Sequence, residues 1–189
     1  ERKAHKRKVL HPSSLHPKLA RGMVNLLGAS KSDVICDPFV GTGGILIEAG
    51  LLRYKTLGFD INKWMVKAAD ENLKSYKVKS YKIMNADALQ AKNYRENKNK
   101  SYSSILYICT DLPYSINTKE VDILKLYASF FALLRKIKVK RAVIGLPYFT
   151  NYKNINYKRL FAANRLKVID DFEFYIHKNL RKRVFVVES

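Results

Sequence analysis

The chain is basic and has the size of one domain. It contains 189 residues with a formal net charge of +20, from 36 Lys and Arg against 16 Asp and Glu, and its pI is near 9.9. A hydrophobic content of 47% is ample for a single core. Without a membrane-spanning apolar run or a signal peptide, we expect an intracellular, cytoplasmic protein with no membrane contact. The charge favours a nucleic acid as partner, and a general drift in composition towards Lys, Asn, Ile and Tyr is the alternative.

Cysteine and histidine usage gives no sign of a metal centre. Cys36 and Cys109 lie in apolar runs without paired spacing, and the 4 histidines follow no ligand pattern. We therefore expect buried free thiols and no metal site.

Strand-like and helix-like patterns alternate along the chain. After a helical lead-in over 1–30, in which His11 and His16 flank a first helix as cap or packing residues, the predicted strands cover 33–37, 56–60, 80–84, 104–110 and 141–146. The predicted helices cover 44–52, 62–73, 121–134 and 157–164. An antiparallel pair, 167–176 and 183–188, is expected around a basic turn, and 91–103 is expected to be an exposed linker or lid. This order predicts one α/β domain over 1–189, with a doubly wound, mostly parallel seven-stranded sheet and an antiparallel terminal hairpin.

A glycine-rich loop follows the first predicted strand and opens a helix. Its sequence runs Asp37-Pro-Phe39-Val-Gly41-Thr42-Gly43-Gly44. Gly41 and Gly43 allow a tight turn and a close approach of the backbone to a ligand. A dinucleotide fingerprint would need glycine where Leu46 stands, and a phosphate-binding P-loop would need a Lys followed by Ser or Thr. The loop therefore predicts a nucleotide-like cofactor outside those classes.

Two further acids follow the next predicted strands. Asp60, beside Ile61, closes the second strand 17 residues after Gly43, where a carboxylate can accept both hydroxyls of a ribose. Asp87, beside Ala88, follows the third strand. It is either an acceptor for an adenine amine or a turn-forming Asp.

The tetrapeptide Asp111-Leu112-Pro113-Tyr114 ends the fourth predicted strand. It combines an acid, a carbonyl and an aromatic plate at the sheet edge where ligands bind in open α/β folds. Such a group can hold a flat base by its exocyclic amine, while Tyr114 stacks on the base. A β-turn built around Pro113 is the alternative. The related run 145–148 lacks the acid and is either a pocket wall or a plain turn.

These motifs together resemble the class I S-adenosylmethionine-dependent methyltransferases. The runs 11–21, 41–50 and 177–181 are similar to the archaeal and eukaryotic tRNA guanosine-N2 methyltransferases that modify position ten. Leu112 and Ser115 stand where that family usually has Pro and Gly. The resemblance implies a Rossmann-like class I methyltransferase fold, S-adenosylmethionine as cofactor, S-adenosylhomocysteine as its product, and methyl transfer to N2 of a guanosine in tRNA.

The resemblance also implies a role for each site residue. The catalytic set is Asp111, Pro113 and Tyr114. The cofactor-binding set is Asp37, Phe39, Gly41, Thr42, Gly43, Asp60, Ile61, Asp87, Ala88 and Asp111. The substrate-binding set is Leu112, Tyr114, Ser115, Arg181 and Arg183.

The basic segments and the missing targeting region suggest the partners. Phosphates of the RNA are expected to meet Arg2, Lys3, Lys6, Arg7 and Lys8, and also Arg181, Lys182 and Arg183 at the hairpin turn, with solvated charge as the alternative for each. Full-length relatives carry a THUMP-containing RNA-binding region, so a catalytic domain separated from its targeting half is expected. A separate THUMP-type subunit or a small zinc-binding activator are candidate partners. The alternatives in function are an adenine amino-methyltransferase on DNA, a glutamine methyltransferase on protein, and a catalytically idle RNA-binding module.

Overall fold

Seven strands and five helices make up most of the described chain. The computed structural model describes residues 7–11, 14–90, 94, 106–113, 120–149, 155–178 and 180–189. The strands are β1 (Val34–Asp37), β2 (Lys55–Asp60), β3 (Tyr81–Asn85), β4 (Tyr107–Asp111), β5 (Arg141–Phe149), β6 (Lys167–His177) and β7 (Leu180–Glu188). The helices are α1 (Pro17–Leu26), α2 (Gly44–Leu51), α3 (Lys63–Ser75), α4 (Glu120–Ile137) and α5 (Tyr157–Ala163).

The described strands form one sheet in the order β3-β2-β1-β4-β5-β7-β6. β7 runs antiparallel to β5 and β6, and the other neighbours are parallel. The predicted doubly wound sheet with an antiparallel terminal hairpin is therefore confirmed. The strand order reverses between β1 and β4, which places a crevice beyond their carboxyl ends. Asp37, Asp60 and Asp111 are the last residues of β1, β2 and β4, so the same sheet edge carries all three acids.

The terminal hairpin differs from its prediction in where β7 begins. β7 starts at Leu180, and Arg181, Lys182 and Arg183 pair with β5 on one side and β6 on the other. The prediction that these cations lie at the hairpin turn is wrong, because pairing on both sides keeps them inside the sheet. Residues 145–148 lie in β5, so their interpretation as a plain turn is also wrong.

Buried side chains cover both faces of the sheet. On one face, an aromatic core joins α4, α5 and β7, and its members are Tyr127, Phe130, Phe131, Tyr157, Phe161 and Phe185. The other face packs Met23 of α1 against Cys109 and Val143. The expectation that Cys36 and Cys109 are buried free thiols is confirmed, and burial raises the pKa of both. None of the helices in the described part of the chain combines the length and the apolar character needed to cross a membrane.

Local capping follows the sequence. The Nδ1 atom of His16 accepts a hydrogen bond from the Lys18 amide at 3.2 Å at the start of α1. Asn62 Oδ1 accepts from the Trp64 amide at 2.9 Å and caps α3, as predicted. Most of the expected linker 91–103 lies outside the described residues. Its one described member, Tyr94, is buried against Phe59 with ring centroids 5.3 Å apart, so the prediction of exposure is wrong there.

Candidate cofactor and substrate site

The glycine-rich loop turns sharply from β1 into α2. Gly41 and Gly43 have φ angles of 49° and 85°, a region that favours glycine. The Gly41 amide donates to Asp60 Oδ2 at 3.0 Å, which ties the loop to the end of β2. A Cβ atom on Gly43 would lie 3.3 Å from Ala69 Cβ, so this glycine also allows α3 to pack closely. The loop therefore forms the tight turn that the sequence predicts.

A cavity of about 610 Å³ opens at the carboxyl edge of the sheet. This volume lies in the range of small-molecule sites. Of the residues predicted for the site, it is lined by Asp37, Phe39, Gly41, Thr42, Asp60, Ile61, Asp87, Ala88, Asp111, Leu112 and Pro113. The structure thus brings together residues from the four loops that follow β1, β2, β3 and β4, which the sequence could relate to one another only through the resemblance of their motifs.

Hydrogen bonds fix the carboxylates of Asp60 and Asp87 along one side of this cavity. Asp60 Oδ1 accepts from the Asn62 amide at 2.9 Å, and Asp87 Oδ1 accepts from the Leu89 amide at 2.8 Å. Each carboxylate oxygen has a second lone pair, so these bonds leave acceptor capacity for a ligand. Asp87 begins a turn, as its turn-forming interpretation predicts, and it also lines the cavity. Its role as an acceptor for an adenine amine stays a prediction.

Asp37 is a buried acid at the base of the cavity. Its Oδ1 atom accepts from Thr110 Oγ1 at 2.7 Å and from the Phe39 amide at 3.2 Å. Burial raises the pKa of Asp37 to about 7, and the nearby charges of Asp111 and Asp60 act in the same direction. This carboxyl group therefore titrates near neutral pH.

Asp111 forms an ion pair with a lysine of β7, which lies two strands from β4 in the sheet. Lys182 Nζ lies 2.5 Å from Asp111 Oδ1, with 2% of the lysine side chain and 15% of the aspartate side chain exposed. Burial raises the pKa of Asp111 and lowers that of Lys182, while each partner's charge opposes the shift of the other. The prediction that Lys182 contacts RNA phosphates is wrong, because its ammonium group is buried against the carboxylate.

Backbone atoms hold the chain on either side of Asp111. The Leu112 amide donates to the Gly145 carbonyl at 3.0 Å, and Tyr127 Oη donates to the Pro113 carbonyl at 3.0 Å. A Cβ atom on Gly145 would lie 2.6 Å from Asp111 Oδ1. Gly145 therefore forms the wall behind the acid, and the pocket-wall interpretation of 145–148 agrees with this position.

Other predicted residues lie elsewhere or outside the described chain. Arg181 and Arg183 form ion pairs with Glu173 and Asp171 across the terminal hairpin, and neither lines the cavity. The prediction for Arg7 as a phosphate contact is wrong, because its side chain is buried. Tyr114 and Ser115, like Arg2, Lys3 and Lys6, lie outside the described residues. Across the described ranges, no group of three or more His, Cys, Asp and Glu side chains is placed to hold a metal ion.

Sequence reasoning missed Lys182 as a site residue, although a signal for it exists. In β7, Leu180, Lys182 and Val184 are buried and alternate with the more exposed Arg181 and Arg183. A strand that began at Leu180 would have placed Lys182 on the inward face by its period of two. The strand was instead predicted to begin at Arg183.

Comparison with known proteins shows the family to which this chain belongs. A family model described as the RMKL-like methyltransferase domain matches residues 4–167. The chain belongs to this methyltransferase family. A solved structure, TrmN from Thermus thermophilus, superposes with a TM-score of 0.73 at 18% identity over 94% of this chain and 50% of that one, which shows the shared class I methyltransferase fold.

Curated relatives are similar over most or all of the chain. The tRNA (guanine(10)-N2)-dimethyltransferase of Pyrococcus abyssi is 35% identical over 100% of this chain and 54% of its own length. The "Probable tRNA (guanine(10)-N2)-dimethyltransferase" of Methanothermococcus thermolithotrophicus is 34% identical over 91% of this chain and 98% of its own. The chain spans about half the length of several of the curated relatives that it matches.

Proposed function

We propose that this domain transfers a methyl group from S-adenosylmethionine to N2 of a guanosine in tRNA, at position ten. The observation that carries the proposal is the position of Asp111, an acid at the switch point of the sheet that lines the same cavity as Asp60 and the glycine-rich loop. The names of the curated relatives support the substrate and the position. The proposal covers 1–189 as one catalytic domain.

The residues of the cavity fit this cofactor chemically. Asp60 and Asp87 offer carboxylate acceptors suited to ribose hydroxyls and to an adenine amine. The turn through Gly41 brings main chain to the cavity wall without a side chain in between. S-adenosylmethionine, when bound, supplies a methyl group activated by its sulfonium charge. We assign its binding to Asp37, Phe39, Gly41, Thr42, Gly43, Asp60, Ile61, Asp87, Ala88 and Asp111.

The chemical task of the protein is to activate a weak nucleophile. The lone pair of the guanine amine is delocalised into the ring. Acceptors that hold both amine protons favour a pyramidal nitrogen, whose localised lone pair is directed at the methyl group. Asp111 and the Pro113 carbonyl are the acceptors that we assign to those protons, and Asp111 also takes the proton that methyl transfer releases. The Pro113 carbonyl retains a lone pair beside its bond from Tyr127. Positioning of the reacting atoms supplies much of the remaining acceleration.

RNA recognition forms a further part of the proposal. Leu112, Tyr114 and Ser115 are assigned to the target base, with stacking on Tyr114 worth about 1–3 kcal/mol. Arg181 and Arg183 are assigned to phosphates, which would give affinity without sequence information. A THUMP-type RNA-binding region or subunit, or a small zinc-binding activator, would add tRNA targeting. We also propose a cytoplasmic location, which a tRNA substrate supports.

The first test measures cofactor binding and product formation on the purified chain. We expect calorimetry to show stoichiometric binding of S-adenosylmethionine, and nuclease digestion with mass spectrometry to find one or two methyl groups on guanosine ten. A matched transcript with inosine at position ten lacks the exocyclic amine and should receive no methyl group there. Methylation of DNA adenine or protein glutamine instead of tRNA would contradict the substrate, and no cofactor binding would contradict the enzyme.

A second expected result concerns the wall behind Asp111. In Gly145→Ala, the new methyl group displaces the Asp111 carboxylate, because β4 and β7 hold the backbone of Gly145 from both sides. We expect methylation, measured below the thermal midpoint, to fall about tenfold to a hundredfold, and the midpoint itself to fall because the displaced carboxylate weakens its buried ion pair with Lys182. Gly22→Ala is the control, since a Cβ atom there meets nothing within 4 Å. Equal activity of the two variants would show that the position of Asp111 is not critical.

A further inference from the structure

Arg7 is a buried cation with an unused donor. Only 5% of the residue is exposed, and its Nη2 atom donates to the Leu15 carbonyl at 3.2 Å. Within the described part of the chain, Arg7 Nη1 has no hydrogen-bond partner. Burial lowers the pKa of the guanidinium, and the charges of Tyr76 and Glu48 only partly oppose that shift. A buried guanidinium with an unsatisfied donor is costly, so this nitrogen indicates a missing acceptor.

The unused nitrogen lies beside the start of α2. A Cβ atom on Gly44 would meet Arg7 Nη1 at 3.0 Å and Nη2 at 3.1 Å, so the guanidinium packs against the first residue of that helix. Among the described residues, no side chain caps α2 by a hydrogen bond, and the positive end of its dipole adds to the charge of Arg7. Glu48, the nearby acid, accepts from Arg21 Nε at 2.7 Å. The guanidinium of Arg7 and the positive end of α2 therefore meet in the cavity wall at Gly44. An anion bound there would interact favourably with both.

The cavity is chemically asymmetric around this place. Arg7, Ser14 and Thr42 line one end, where Ser14 Oγ and Thr42 Oγ1 lie 3.0 Å apart and share a hydrogen bond. Asp60 and Asp87, which supply acceptors, line the loops that follow β2 and β3. Acceptors suit the hydroxyl and amine groups of an adenosine, whereas a guanidinium at a helix start suits a carboxylate. S-adenosylmethionine carries both kinds of group, one at each end.

We propose that Arg7 Nη1 and the start of α2 bind the carboxylate of the amino-acid end of the methyl donor. The inference rests on the proposed function and deepens it, because it adds a carboxylate subsite and assigns a role to a residue that sequence reasoning placed on RNA. Arg7 is buried, so its ligand must enter the cavity. Arg7 then selects a donor that has an intact amino-acid end.

The test is a cycle of two proteins and two ligands. Calorimetry measures S-adenosylmethionine and decarboxylated S-adenosylmethionine, which lacks only the carboxylate, on the wild type and on Arg7→Met. We expect the wild type to prefer the intact ligand by about thirtyfold, the scale of a charge-assisted hydrogen bond, and Arg7→Met to reduce this preference to about threefold. Affinity for the decarboxylated ligand should hardly change. Arg7→Lys, which keeps the charge, should give an intermediate preference.

Controls separate this subsite from other roles of Arg7. Lys8→Met removes an exposed cation of the same segment, paired with Glu71 at 3.6 Å, and should keep the full preference. Equal weakening of both ligands by Arg7→Met would make Arg7 a packing residue and overturn the inference. Weaker tRNA binding with an unchanged ligand preference would assign Arg7 to phosphate and overturn it as well. A wild type that binds neither ligand would overturn the proposed function itself.

Discussion

Asp111→Asn is expected to lower kcat for tRNA methylation about a thousandfold, within the range found for positioned acids and bases. The amide of Asn keeps the size of the carboxylate but cannot take a proton. The amide also loses the charge that holds the amine protons of the target base. Affinity for S-adenosylmethionine should change less than about tenfold, because Asp60 and the glycine-rich loop remain in place. Single-turnover methylation and calorimetry on the same preparation measure the two effects.

The Asp111 experiment needs a control for stability and one for cofactor binding. Asn at this position leaves Lys182 buried without its carboxylate, so thermal unfolding must show that the variant is folded at the assay temperature. Asp60→Asn removes another acid from the same sheet edge and should raise KM for the cofactor more than it lowers kcat. Loss of cofactor binding in Asp111→Asn to the same degree as loss of methylation would show that Asp111 serves the cofactor and not the base.

The fold could be predicted because each strand and turn can be recognised from a short run of neighbouring residues. Apolar runs such as 34–37 and 107–111 are buried strands, and glycines with positive φ mark the turn that follows β1. Each acid of the carboxyl edge stands directly at the end of a strand, so its position follows once the strand is recognised. For these elements, sequence pattern and tertiary structure agree.

The site could be predicted only where each residue belongs to a continuous motif. The pair of Asp111 and Lys182 joins β4 to β7 across 71 positions of sequence, and a cluster of three cations looks like a solvated surface until the pairing of β7 is known. Gly145 could not be predicted for the same reason. Its missing side chain leaves room for the Asp111 carboxylate, which belongs to the neighbouring strand β4. Tyr94 lies in a polar stretch, yet its ring packs in the core and its hydroxyl donates to the Ala88 carbonyl at 2.8 Å. Long-range contacts decide all three positions.

Lys182→Met is expected to make methylation depend on pH in a different way. The ammonium of Lys182 lowers the pKa of Asp111, against the larger effect of burial, which raises it. Without that charge the pKa of Asp111 rises further, because a close partner of opposite charge no longer opposes the effect of burial. Below its pKa, Asp111 is protonated and accepts no proton from the amine. The acid limb of the kcat profile should therefore move to higher pH than in the wild type, and the lost activity should return as the buffer is made more alkaline.

Lys182→Met should also change how the free energy of unfolding depends on pH. An ordinary paired acid stabilises the fold more as pH rises, whereas Asp111 in this variant should stabilise it less. The pKa of Asp111 in folded Lys182→Met lies well above that of the unfolded chain, so the unfolded chain loses its proton first as pH rises. The free energy of unfolding should fall as the pH rises through about 4, where Asp111 of the unfolded chain loses its proton, until the folded pKa is reached. Removal of one partner from a buried pair costs about 3–5 kcal/mol when the other charge stays ionised, so the loss relative to wild type should be smaller at low pH.

Arg181→Met is the matched control for both measurements. Arg181 is the neighbour of Lys182 in β7, and its partner is Glu173 in the half-exposed hairpin rather than Asp111. Its loss should leave the pH limb of kcat unchanged even if tRNA affinity weakens. A uniform drop in activity at every pH in Lys182→Met would mean that the lysine only packs beneath the site. A shift of the limb confined to Lys182→Met would instead show that this buried cation keeps Asp111 ionised at neutral pH.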